Sequence, residues 1–218
     1  MARKQNNIDI AVIGLGRFGS SLALRLTALG NHVLGCDRDP ETVKALADDI
    51  AEAVILDAQD EDALQMVGIT SFNTVVVALS HDFEYNALVT ASLKKMGVPH
   101  VISVADSQRH REILTAIGAD RVILPQEEAA SQLAEEFSAP GILEILNLDP
   151  VYRLIEIKTP AGLNGKPFQL ATKFDISLLL IIREGDLIVS PEDSIILNKE
   201  DILVLVGQQK NLVDFSLL

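Results

Sequence analysis

Three glycines stand in the run Gly14-Leu15-Gly16-Arg17-Phe18-Gly19, directly behind a β-branched apolar stretch and ahead of a segment with helical periodicity. Between a strand and a helix, this spacing suits one chemistry: holding the phosphates of a nucleotide. Gly14 permits the tight turn, Gly16 lets a phosphate approach the main chain, and Gly19 brings the helix close to the sheet. The opening turn of that helix then offers unpaired N–H groups and the positive end of its dipole. Asp37 closes the next apolar run, where a carboxylate accepts from both ribose hydroxyls of an adenosine. Such a carboxylate repels a 2′-phosphate and so disfavours NADP, although Arg38 beside it weakens that preference. Arg17, at the mouth of the site, has the fork geometry to pair bidentately with phosphate oxygens; the alternative is a solvated arginine on a helix start.

Further candidates fall where apolar runs end, the edge at which open parallel sheets bind ligands. Asp57 with Ala58 follows the third run, and Ala78, Leu79, Ser80 and His81 lead out of the fourth. Asp57 is placed either to meet the amino group of an adenine or to cap the turn before Ala58-Gln59-Asp60. No catalytic constellation emerges. His32, His81, His100 and His110 are scattered, without the carboxylate spacing of a metal site or the partners of a nucleophile. A hydride-transfer enzyme also needs a domain that encloses substrate and supplies an acid or base. For that alternative, an NAD-dependent oxidoreductase with a small dimerisation domain, His81 is the one candidate acid.

The elements that must position these residues read as an α/β pattern. Strands are expected over 8–13, 32–36, 53–56, 74–79, 101–104 and 121–124. Helices are expected between them, over 18–29, from Asp39-Pro40 to about 48, over 61–67, 85–96 and 109–117, with Gly68, Gly97 and Gly118 as stops. Alternation of this kind makes a doubly wound parallel sheet. Beyond it, 126–137 reads as an amphipathic helix broken at Ser138-Ala139-Pro140-Gly141, and 142–148 (ILEILNL) as a second short helix ending near Asp149-Pro150. The two helices with the break between them serve as a connector and an association surface, with 139–150 taken as the helical connector proper. From 151 onward, strands at 151–158, 176–183, 187–190 and 202–207, with a hairpin signal at Glu184-Gly185-Asp186, describe a small antiparallel α+β module. The expected division is thus 1–138, 139–150 and 151–218.

Composition narrows the function classes. The 218 residues are 48% hydrophobic but only 4% aromatic, with no Trp, so the cores are aliphatic. A formal net charge of -13 repels phosphate backbones and anionic lipid, which argues against a nucleic-acid partner and against docking through a basic patch. The single cysteine, Cys36, sits within an apolar run and reads as a core residue, excluding an intrachain disulfide or a multi-cysteine metal site. Residues 1–7 are polar with no apolar stretch behind them, and no run reaches the ~18–20 residues of a membrane helix. A cytoplasmic protein without direct membrane insertion is expected.

The run IAVIGLGRFGSSLALRLTALGNHVLGCDRDPETV resembles the start of KTN/RCK domains, the cytosolic potassium-conductance regulators of the Trk/Ktr class. AVILDAQDEDAL, VVVALSHDFEYNALVTASLKKMGV and IGADRVILPQEEAA agree in order. GLNGKPFQL, ISLLLIIREGDLIVSP and EDILVLVG are similar to the small RCK-C (TrkA-C) module, so the resemblance covers nearly the whole chain. It implies a Rossmann-type nucleotide domain that binds ATP, ADP or NAD(H) at Gly14–Gly19 and Asp37, with Arg17 reaching phosphate. It further implies a homodimer that assembles into an octameric ring beneath a Trk/Ktr-type membrane transporter, peripheral to the inner face of the cell membrane. Three departures from the family pattern stand out. Val104 occupies a place where relatives often carry Lys or Arg, leaving Arg109 to substitute. Pro125-Gln126 stands where relatives have Pro-Glu, so a companion Mg²⁺ would rely on Glu127 or Glu128. Ala171 replaces an arginine that some relatives use to hold cyclic di-AMP, a ligand therefore not expected here.

Overall fold

Runs of Val, Ile and Ala pair side by side to form the first sheet. Asp9–Ile13 (β1), His32–Asp37 (β2), Glu52–Ile55 (β3), Thr74–Val77 (β4), His100–Val104 (β5) and Arg121–Ile123 (β6) lie in the order β3-β2-β1-β4-β5-β6. Every pairing is parallel. The computed structural model describes residues 9–138, 141–149 and 151–218. They divide into two compact units, up to residue 127 and from 128 onward. In the first, Ala11, Val33, Leu34, Val75, Val77 and Val101 are all fully buried, as strands covered on both faces must be. The chain leaves β1 toward one edge and returns at β4 to build toward the other. The sheet's switch point, a crevice at the carboxyl ends of these two strands, lies there.

Helices Arg17–Ala28 (α1), Pro40–Leu46 (α2), Glu61–Met66 (α3), Phe83–Lys95 (α4) and Gln108–Ile117 (α5) alternate with the strands. Four of them begin on a side chain that accepts from the first-turn amides: Asp39, Asp60, Asp82 and Ser107. α1 has no such cap, and its first turn carries no acid. Pro125–Ser138 (α6) follows β6.

The second unit is an antiparallel sheet. Ile142–Asn147 (β7), Tyr152–Lys158 (β8), Ile176–Arg183 (β9), Asp186–Val189 (β10) and Ile202–Gln208 (β11) lie in the order β10-β9-β11-β8-β7. Gln209–Ser216 (α7) packs its Leu212 and Phe215 into the same core as Phe168, Ile181 and Leu203. The β9–β10 turn has φ 54° at Glu184 and 90° at Gly185, the mirror-image turn whose twist matches a two-residue hairpin.

The sheet departs from the sequence expectation at one segment. Residues 142–148 do not form a helix: β7 is an edge strand that pairs antiparallel with β8. Ile142, Ile145 and Leu146 fit a helical stripe as well as a bulged strand, and the long-range partner decides between them. Asp149 therefore ends no helix. Its carboxylate accepts from the Val151 and Tyr152 amides at 2.7 Å each and shapes the β7–β8 hairpin turn. α7 was not expected at all. The basic N-terminal stretch, Ile8, Ala139, Pro140, Pro150 and the side chain of Ala171 lie outside the described residues.

A buried ion pair ties three segments of this unit. Asp201 is only 1% exposed. Its carboxylate accepts from Arg183 Nε at 2.8 Å and Nη2 at 2.7 Å, and from the Asn198 amide at 2.8 Å. Burial alone raises the Asp201 carboxyl, but the guanidinium and the amide outweigh it and hold the group below the ordinary aspartate value. A depressed folded-state value means the stabilisation is complete above the unfolded value near ~4 and is lost as pH falls through the folded one. Asp201→Ala should therefore cost about 3 kcal/mol at neutral pH, because it strands a half-covered arginine. Urea denaturation followed by circular dichroism should show that cost shrinking in acid. A loss under about 1 kcal/mol at pH 7 would assign the pair a surface-like value.

Candidate nucleotide site at the sheet switch point

Backbone sterics build the turn between β1 and α1. Gly14 has φ +92°, and a Cβ there would stand 2.9 Å from the Ala78 carbonyl oxygen. A Cβ on Gly19 would meet the Gly14 carbonyl oxygen at 1.8 Å, so α1 runs against the turn at a distance only hydrogen allows. Gly16 is different: a Cβ there would have nothing within 4 Å. Neither fold nor packing demands that glycine, and its bare main chain faces open space at the uncapped start of α1.

Asp37 holds this turn. Its Oδ2 accepts from the Leu15 amide at 2.6 Å and its Oδ1 from the Asp39 amide at 2.9 Å. The Ser20 hydroxyl donates to the Leu15 carbonyl, and the Gly14 amide to Cys36 O at 2.8 Å. Each carboxylate oxygen of Asp37 keeps a second lone pair, so the geometry accommodates ribose hydroxyls as well. The Leu15 side chain points into the core and is 1% exposed.

Two adjoining clefts open along the carboxyl edge. The first is lined by Gly14, Gly16, Asp37, Arg38, Leu56, Ala78, Leu79, Ser80 and Tyr85, and by Cys36, whose thiol is buried in the core. Burial, with the charges of Asp37 and Glu52 adding to it, pushes that thiol up to about 12, so it stays neutral and unreactive. Asp57 and Ala58 follow the lining residue Leu56 but are not themselves in the lining; Asp57 is exposed just past it and Ala58 is buried. The Tyr85 hydroxyl links them, donating to Asp57 Oδ1 at 2.9 Å and accepting from the Ala58 amide at 2.9 Å. Arg38 lies over the Tyr85 ring at 5.2 Å. The Gln59 amide, then the Tyr85 hydroxyl, and more weakly the Arg38 charge hold the Asp57 carboxyl below its ordinary value.

The second cleft takes in Gly16, Arg17, Phe18, Ala78, Ser80 and His81 on one side, and Val104, Asp106 and Gln126 on the other. Arg17 is exposed and makes no ion pair among the described residues, leaving its guanidinium available to an anion. Arg109 is exposed on the first turn of α5 and lines neither cleft. Its neighbour His110 pairs with Asp106 at 2.7 Å and stacks on Phe83 at 4.0 Å. Glu127 accepts from Gln108 at 2.7 Å. No group of three or more His, Cys, Asp or Glu suited to a metal ion occurs among the described residues.

Thus Gly14, Gly16, Arg17, Phe18, Asp37, Arg38, Ala78, Leu79 and Ser80 come together. Leu15 and Gly19 shape the turn from behind, Asp57 and Ala58 lie one hydrogen bond away, and Arg109 stands apart. Sequence reasoning missed Tyr85 and its neighbour Asn86. Both are buried on the first turn of α4, and Asn86 Nδ2 donates to the Val104 carbonyl at 2.8 Å.

Residues 10–125 match the TrkA-N domain family. The chain is 32% identical over 213 residues to Ktr system potassium uptake protein A of Bacillus subtilis (strain 168), covering 96% of each chain. It is also 32% identical over 211 residues to Ktr system potassium uptake protein C of that organism, covering 95% of this chain and 96% of the relative. Among solved structures, the GsuK channel matches with a TM-score of 0.67 over 97% of this chain at 16% identity. This chain spans 39% of that channel chain, and the likeness there is one of fold. The matched domain contains the whole glycine turn, and the alignment to both Bacillus proteins continues through the second unit: the chain belongs to the Ktr/Trk family of potassium-uptake proteins that carry a TrkA-N domain.

Proposed function

We propose that this regulatory subunit of potassium transport binds an adenine nucleotide, ATP, ADP or NAD(H), at the switch-point crevice and gates a membrane partner without turning the nucleotide over. The single observation that carries the reading is Gly16, a glycine with open space where its side chain would be, at a helix start left without a cap. The diphosphate lies across Gly14–Gly16, the ribose hydroxyls bond Asp37, and the base lies toward Arg38, with Ala78, Leu79 and Ser80 along the opposite wall. Arg17 reaches the outermost phosphate, across the second cleft from Val104 and Gln126. Gln126 offers a neutral carbonyl, a weak ligand for Mg²⁺, so an accompanying cation would depend mainly on the phosphates.

Gating requires a ligand that prefers one assembly shape over another. Swinging an equilibrium almost completely takes a preference of about 5.5 kcal/mol. One arginine–phosphate pair supplies about 1.5–3 kcal/mol. Several copies must act together, which suits the homodimers and octameric ring the family resemblance implies, set under a Trk/Ktr-type transporter subunit. The division into a nucleotide module over 1–138 and a small regulatory module over 151–218 belongs to this proposal, with β7 in the segment between them. No helix among the described residues is long and apolar enough to cross a membrane, which suits a cytoplasmic subunit held at the membrane by its partner.

His81, exposed where both clefts meet, is the feature that favours an oxidoreductase instead. Calorimetry separates the readings. Arg17→Ala should weaken ATP by roughly ten- to a hundredfold and ADP by less. Equal affinities for wild type and variant would remove Arg17 from the site. NADH should stay unoxidised with carbonyl substrates; turnover that His81→Ala abolishes would establish the enzyme.

A further inference from the structure

Tyr85 is not part of the glycine fingerprint, yet its hydroxyl hydrogen-bonds α4 to the loop after β3. It is 5% exposed, and its hydroxyl has both roles filled, as acceptor from the Ala58 amide and donor to Asp57 Oδ1. Burial pushes the phenol up to about 12, so it remains a donor throughout the physiological range.

The consequence falls on Asp57. Its Oδ1 already accepts twice, from the Gln59 amide at 3.0 Å and from Tyr85 at 2.9 Å. Its Oδ2 has no bond among the described residues. A carboxylate with one oxygen held by two donors cannot turn freely, and the other oxygen stays presented as a pure acceptor. Arg38, stacked over the Tyr85 ring, covers the same end of the first cleft.

Resting on the nucleotide reading above, we infer that Tyr85 is a positioning residue for base selectivity: it fixes Asp57 so that its free oxygen accepts from the exocyclic amino group of a 6-aminopurine and repels a 6-oxopurine. A ligand with an amino group gains a charge-assisted hydrogen bond at that oxygen, whereas an oxo group there meets it acceptor against acceptor and leaves only the neighbouring N1–H as a donor, displaced from the position of the amino group.

The test is calorimetry with ADP and inosine diphosphate, which differ at that position, on wild type, Tyr85→Phe, Asp57→Asn and the double variant. Tyr85→Phe keeps the ring and its contact with Arg38 while deleting the hydroxyl. Wild type should prefer ADP by roughly tenfold or more. Tyr85→Phe should lose roughly three- to tenfold of that preference, mostly by weakening ADP, with little change for inosine diphosphate. Once Asp57 is Asn, the tyrosine substitution should change the ratio no further. Equal weakening of both nucleotides, or an unchanged ratio, overturns the inference, because a purely structural tyrosine affects both alike. Failure of wild type to bind either nucleotide overturns the proposed function itself, whereas ADP binding without discrimination overturns only the role of Tyr85.

Discussion

Between the first strand and the first helix, the Gly14 carbonyl and the Cα of Gly19 approach so closely that a methyl group on Gly19 would stand 1.8 Å from the carbonyl oxygen. This contact fixes where α1 starts and aims its first turn across the ends of β1 and β4. Asp37, from the next strand, then locks the turn through the Leu15 amide. One carboxylate thereby serves the fold and faces the crevice, so Asp37→Ala would disturb both and could not separate them. Gly16 is free of that ambiguity.

The opposite wall is organised by adjacent residues of α4. Tyr85 reaches one way, to the loop after β3, and Asn86 the other way, to the end of β5. Asn86 is further braced by Thr90, whose hydroxyl also pairs with Ser103 at 2.9 Å. The first turn of one helix thus sets the positions of loops beside both clefts. A ligand that displaced either loop would act on α4 directly, a contiguous physical route from the crevice to a helix face.

The first sheet was legible because its signals are local. β-branched runs, aspartates and a serine at helix starts and glycines at helix ends recur within short windows, and the structure moves most boundaries by only one or two residues. The second unit was less so. Ile142, Ile145 and Leu146 satisfy two periodicities, and only pairing with Tyr152–Lys158 makes the segment a strand. α7 did show a signal, Leu212 and Phe215 three apart, but an eight-residue helix depends on the core it docks against. In the site, residue types announced the glycines, Arg17 and Asp37. The Tyr85–Asp57 link did not appear, because it joins residues 28 apart in sequence and an aromatic at a helix start reads as core.

The central claim is that Gly16 leaves its space for phosphate. Gly16→Asp tests it most directly, since aspartate is a favoured residue ahead of a helix and nothing lies within 4 Å of the new Cβ. The variant should melt at or above the wild-type temperature without ligand, yet bind ADP roughly a hundredfold more weakly, because a carboxylate now occupies the anion position. Wild-type ADP affinity in a folded Gly16→Asp protein would contradict the account.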